Sequence, residues 1–162
     1  RALRSGMRFV TPRGLAGLGW GLPLAIGAKM AKPKQPVLCL VGDGGFGHVW
    51  SELETAHRMK AKIVLTVLNN GVLAYQKGVE DVKVGGHASA VRFAPVDHAQ
   101  IARAWGCRGV RVERASNYLP ALREALAAEE TTVIDVVTDP EAYPPITFFD
   151  RALERVRAAR QK

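Results

Sequence analysis

At 162 residues, 48% of them hydrophobic and 23% charged, the chain has the size and composition of a single globular domain with a substantial core, which excludes disordered and fibrous classes. No apolar run approaches the roughly 18 to 20 residues that span a bilayer. Arg1 to Arg13 lacks the apolar block of a secretory signal, so a cytoplasmic location is expected. The net charge of +8 gathers at the ends, in Arg1, Arg4, Arg8 and Arg13 and again in Arg151, Arg155, Arg157, Arg160 and Lys162. Neither cluster is patterned for stacking on bases, so both are read as solvated tails and no nucleic-acid contact is expected.

In chain order, Leu22 to Ala31 predicts a helix with Pro23 tolerated in its first turn. Val37 to Val41 and Ile63 to Leu68 are short, continuous apolar runs rich in β-branched residues, read as central parallel strands covered on both faces. Between them, Val49 to Met59 places Val49, Leu53 and Ala56 on one helical face with Trp50 at its edge. From Gly78 to Pro95 periodicity dissolves; so long an irregular segment is expected near a functional site.

Asp97 and Gln100 form a capping box opening a helix whose Ile101, Ala104 and Trp105 are expected to face inward, and Gly106 ends it. Val110 and Val112 predict a strand, Tyr118 to Ala128 a helix, and Thr132 to Val137 another buried strand. Asp139 to Asp150 is proline-broken and extended, and Arg151 to Lys162 is at best a fraying helix. The alternation predicts an α/β fold, an open and mostly parallel sheet with helices on both faces. Cys39 and Cys107 have no CxxC spacing and are read as buried free thiols.

The chemistry concentrates in Gly42 to Gly47, GDGGFG, between a predicted strand and a predicted helix. Read literally this is GxGxxG, and a dinucleotide-binding turn is the first alternative. Two features oppose it. Asp43 would set a carboxylate beside a pyrophosphate, and the next strand ends in Asn69 and Asn70 where a ribose-binding acid is expected. A divalent cation resolves both, because Mg²⁺ takes about six oxygens, and two neighbouring strand ends could supply a carboxylate, an amide oxygen and a backbone carbonyl.

Gly42-Asp43-Gly44 followed by Asn69-Asn70, with Asp43 and Asn70 lying 27 positions apart, resembles the signature of thiamine diphosphate enzymes. Gly14 to Ala28 is similar to the segment that cradles the aminopyrimidine ring in that family, so the resemblance runs from about Gly14 to Asp150. It implies that residues 1–150 form a thiamine diphosphate and Mg²⁺ binding domain, with a basic tail over 151–162. It further implies Mg²⁺ held by Asp43, Asn70 and the Val72 carbonyl, and diphosphate held by the amides of Gly44 and Gly45. Leu18 would then bend the cofactor, and the Ala16 carbonyl would meet its amino group. Tyr75, Gln76 and Lys77 are candidates for the substrate side; His48 follows the diphosphate turn and could reach substrate, but a structural or solvated role is the favoured reading for it as for His57, His87 and His98.

Within the family the chain looks most like the acetolactate synthase group, which implies a 2-oxo acid substrate and a decarboxylase or carboligase outcome. Val79 departs from the tryptophan typical of the biosynthetic enzymes, leaving the particular 2-oxo acid and a bound flavin open. The family's cofactor-activating glutamate belongs to a separate pyrimidine-binding domain, absent here. That domain is expected either in a longer chain, as a start at Arg1 suggests, or in a separate subunit, within a homo-oligomer.

Overall fold

The computed structural model describes residues 6–12, 17–142 and 158. Strands β1 (Leu38–Gly42), β2 (Val64–Asn69), β3 (Arg108–Val112) and β4 (Thr132–Val137) form one all-parallel sheet in the order β1-β2-β4-β3. The helices are α1 (Gly21–Ala31), α2 (Asp43–Gly47), α3 (Glu52–Arg58), α4 (Ala74–Val84), α5 (His98–Ala104) and α6 (Tyr118–Ala127).

Alternation along the strands splits the core between the two faces of the sheet. Leu65, Val67 and Val133 pack with Leu22 and Ile26 of α1, Leu53 and Ala56 of α3, and Ala102 of α5. Val64, Val112 and Ile134 lie on the opposite face under Ala121 and Ala125 of α6. The expected doubly covered α/β sheet is therefore present. Phe46, fully buried, ties the short helix α2 into the first of these clusters, and burying such a ring contributes on the order of 2 to 3 kcal/mol.

Four expectations are corrected. Only β2, of the two strands read as central, is central; among the described residues β1 is an edge strand with Leu38 and Leu40 more than half exposed, because an apolar run fixes neither strand order nor which faces are covered. The helix expected over 49–59 is confined to α3, because the glycine-rich stretch before it coils into α2 and turns rather than staying a loop. Its Leu53 and Ala56 do face the core.

The third concerns residues 78–95, which are not irregular throughout. α4 continues to Val84, carried past Gly78 by Gln76 donating to Glu80 at 2.7 Å and by the buried Lys77–Asp81 pair at 3.6 Å, each one helical turn apart. Fourth, α5 buries His98, Ala99 and Ala102, leaving Ala104 and Trp105 exposed, while Ile101 packs at the core's margin. The helix lies so close to β3 that the Ala99 backbone leaves no room for a Cβ at Gly109, and only small side chains fit that face. Its cap is as expected: Asp97 accepts from the Gln100 amide at 2.9 Å.

The segment expected to be extended is described only as far as Ala142, and the basic tail, apart from residue 158, lies outside the described residues. Among the described residues no helix is long and apolar enough to cross a membrane. Cys39 and Cys107 are both buried, and burial pushes each thiol up to about 11. Neither should react with a thiol-specific reagent in native protein at neutral pH, and both should react once denaturant is added; titration of free thiols under the two conditions checks this.

Candidate functional site

Parallel pairing brings the ends of β1 and β2 to one edge of the sheet, with Gly42 and Leu68 in register, so that Asp43 and the Asn69-Asn70 pair emerge side by side. The Asp43 carboxylate spans the gap. Its Oδ1 accepts from the Gly44 amide at 2.8 Å and its Oδ2 from the Gly71 amide at 2.6 Å. Asp43 is only 6% exposed, and burial raises its pKa, opposed by the Gly44 and Gly71 amides and by the field of His98. Among the described residues none of the ion pairs reaches Asp43.

Beyond β2 the chain reverses through Gly71 at φ +69°, a left-handed conformation that favours glycine. Asn70 Oδ1 accepts from the Val72 amide at 3.2 Å and closes this turn. Val72 then bridges antiparallel to Arg92: the Leu73 amide donates to the Val91 carbonyl, and the Phe93 amide to the Gly71 carbonyl, each at 2.8 Å. The segment after α4 therefore returns to the site, as its irregular sequence led one to expect.

Asp43, Gly44 and Gly45, picked from sequence, thus open helix α2, and Asn70 and Val72 lie in the adjoining turn after β2, the two joined by one carboxylate. Leu18 stands in a turn with 55% of its surface exposed, so it is no core residue. Its neighbour Gly19 packs against His48 and Val49, which sets that turn beside α2. Ala16 lies outside the described residues.

A cavity of about 400 Å³ opens beside Asp43 and Gly44, walled by His48, Trp50, Asn69, Leu73, Phe93 and His98 among others. His48 therefore reaches the site region. Tyr75, Gln76 and Lys77 do not line this cavity. Tyr75 and Gln76 are exposed at the start of α4, and Lys77 is buried against Asp81 and Glu141, its Nζ 3.0 Å from the latter.

His98, read from sequence as structural or solvated, is buried and structural, and it also walls the cavity. It is 2% exposed, packed against the rings of Phe46 and Trp50 at centroid separations of 5.4 and 5.8 Å, and its Nδ1 accepts from the Trp50 indole at 3.3 Å. With Nδ1 accepting, the neutral ring carries its hydrogen on Nε2. The available signal was its place directly after the helix cap at Asp97, which turns the first residue of α5 toward the strand ends.

Burial holds the His98 pKa below its ordinary value, against the raising fields of Asp135, Asp43 and Asp97. The unfolded chain takes up this proton near pH 6.5, before the folded protein does. Stability from His98 is therefore present above about pH 6.5 and is lost as pH falls toward the lower folded pKa. Urea unfolding between pH 7.5 and 5 should show this slope, and His98→Phe should flatten it.

All-oxygen chemistry suits this edge. Among the described residues no three His, Cys, Asp or Glu side chains cluster as a transition-metal cage requires. The carboxylate, amide oxygen and carbonyl offered by Asp43, Asn70 and Val72 are the donor types of a hard cation, and the buried Asp43 lacks a cationic side chain among the described residues.

Comparison with known proteins agrees with this geometry. The family model for the thiamine pyrophosphate enzyme C-terminal TPP binding domain matches residues 1–136. The acetolactate synthase of Bacillus subtilis (strain 168) is 40% identical over 136 residues, covering 82% of this chain and 23% of that one. The acetolactate synthase isozyme 3 large subunit of Escherichia coli (strain K12) is 31% identical over 136 residues, 82% of this chain and 24% of its own length. The thiamine diphosphate-dependent 4-hydroxybenzoylformate decarboxylase of Rhodococcus jostii RHA1 shares the fold at a TM-score of 0.73 and 34% identity, over 76% of this chain and 24% of that one. The chain thus spans about a quarter of the length of the relatives it matches. It belongs to the thiamine pyrophosphate enzyme family, as the C-terminal cofactor-binding domain, and resembles the acetolactate synthases most often among its curated relatives.

Proposed function

We propose that this domain binds the diphosphate end of thiamine diphosphate through Mg²⁺, within an acetolactate synthase-like enzyme that decarboxylates a 2-oxo acid and either protonates or carboligates the product. The observation that carries the Mg²⁺ is Asp43, a buried carboxylate with raised pKa, facing the Asn70 turn without a cationic partner among the described residues. A bound cation would offset the cost of that burial. Asp43 and Asn70 side chains and the Val72 carbonyl would hold it.

The Gly45 amide, at the start of α2, would serve the diphosphate. The Gly44 amide is engaged by Asp43 Oδ1 at 2.8 Å and would be available to phosphate only if the carboxylate were drawn to a cation. Leu18, exposed beside α2, would support the thiazolium and pyrimidine rings, with the Ala16 carbonyl as acceptor for the amino group. The cofactor supplies the electron sink for decarboxylation. This chain's own residues bind and orient it, and His48 lies where a substrate group could be met.

In this reading residues 1–150 form the cofactor domain and 151–162 a basic tail. A pyrimidine-binding domain supplies the activating glutamate, in a homo-oligomer in the cytoplasm. The short share of the relatives' length covered by this chain supports such a partner.

Thermal unfolding with thiamine diphosphate, with and without Mg²⁺, tests the proposal. A ligand at about 100 times its Kd adds roughly 2.7 kcal/mol to the folded state, so the midpoint should rise with Mg²⁺, fall back on chelation, and stay unmoved in Asp43→Ala. No rise, either alone or after adding a pyrimidine-binding domain, would overturn it.

A further inference from the structure

Asp135 lies at the centre of β4, in register with Val67 of β2 on one side and Arg111 of β3 on the other, and its side chain is completely buried. A carboxylate there is costly unless its oxygens are fully engaged. They are. Oδ1 accepts from Asn69 Nδ2 at 2.9 Å, while Oδ2 accepts from the His98 backbone amide at 3.1 Å and from an Arg111 guanidinium nitrogen at 2.8 Å.

Two of these three donors belong to residues that wall the cavity, Asn69 and His98. Asn69 spends its second amide hydrogen on the Val96 carbonyl, also at 2.9 Å, so its side chain is clamped between β4 and the irregular segment leading into α5. The next residue is Asn70, whose turn is held to Asp43 through the Gly71 amide. A single buried carboxylate therefore fixes both the end of β2 and the first residue of α5.

An apolar residue of similar volume would serve packing alone at least as well, since replacing buried ion pairs by well-packed apolar groups is often neutral or stabilising. We propose that Asp135 is a positioning residue of the cofactor edge. Acting through Asn69, it holds the Asn70–Val72 turn in the shape that faces Asp43, and through the His98 amide it sets the opposite wall of the cavity. The hold on the turn is a property of the protein alone; its purpose rests on the cofactor reading above.

Asp135→Asn keeps one acceptor oxygen but turns the other position into a donor, facing Asn69, His98 or Arg111. Amide hydrogen exchange read by NMR, without any ligand, should then accelerate roughly tenfold or more at Gly71, Val72 and His98 relative to Val67 of β2 and Ile134 of β4. The Mg²⁺ concentration giving half of the thiamine diphosphate thermal shift should rise by roughly tenfold or more, as for other residues that orient metal ligands.

Arg111→Met separates positioning from plain stability: it should lower the unfolding midpoint while leaving exchange at Gly71 and Val72 in step with Val67 of β2. Should Asp135→Asn fail to fold, Asn69→Ala, which leaves the carboxylate two donors, is read in the same way at Gly71 and Val72. Unchanged relative exchange at these amides in the variant that folds overturns the inference. Accelerated exchange in a protein whose parent shows no Mg²⁺-dependent shift, with or without a pyrimidine-binding domain, leaves the hold of Asp135 on the turn standing and overturns the cofactor reading.

Discussion

The site depends on one carboxylate joining two strand ends. Parallel pairing brings β1 and β2 to the same edge, and Leu73 and Phe93 pack on Gly44 across the gap, but apolar side chains make no hydrogen bond between the two strand ends beyond the sheet. Asp43 supplies that link by taking an amide from each turn. Two charge-assisted bonds of this kind, in a position with little access to water, are stronger than neutral ones. They leave the charge itself uncancelled, which is a reason for such an edge to take a cation.

Around this link the fold is layered by rigidity. Phe46 anchors α2 from below in the apolar core, Asp135 holds the Asn69 end of β2 from the side, and the Val72–Arg92 bridge closes the far end of the turn. Each anchor comes from a different part of the chain, so the site assembles only when the sheet, α5 and the segment after α4 have all come together. The glycines that give the turns their shape contribute flexibility to the unfolded chain and must be held by these anchors.

What could be read from sequence divides along the same line. That Asp43 and the Asn69-Asn70 pair meet at one edge was legible because a strand followed by a tight turn is a local pattern, and the carboxylate's incompatibility with a bare pyrophosphate is chemistry that needs no fold. Three of the four strands were legible to within a residue, since continuous β-branched runs such as Ile63 to Leu68 have few other uses, whereas β3 opens at Arg108, two residues before the Val110 read as its start. The edge position of β1 was not legible, because strand order is settled by pairings across the chain, and Leu38 and Leu40 look in sequence like any buried strand residues. α5 was capped as expected but faced the wrong way in the reading. Hydrophobicity favoured Trp105, whereas close approach to Gly109 admits only the small side chains of Ala99 and Ala102.

The polar contacts escaped for a related reason. Asp135 sits in TVIDVV, where its neighbours announce a buried strand and nothing local reveals three donors arriving from β2, β3 and α5. His98 likewise has no distinguishing sequence context beyond its cap. Family and cofactor are therefore more legible than substrate. Binding a diphosphate through a cation needs only backbone amides, a carboxylate and an amide at strand ends, all of which follow from local sequence and parallel topology. Choosing a substrate needs side chains placed around a reacting carbon. Of the substrate-side candidates His48 walls the cavity, whereas Tyr75 and Gln76 are exposed on α4 and Lys77 pairs with Asp81 and Glu141, a division that no local sequence pattern announces.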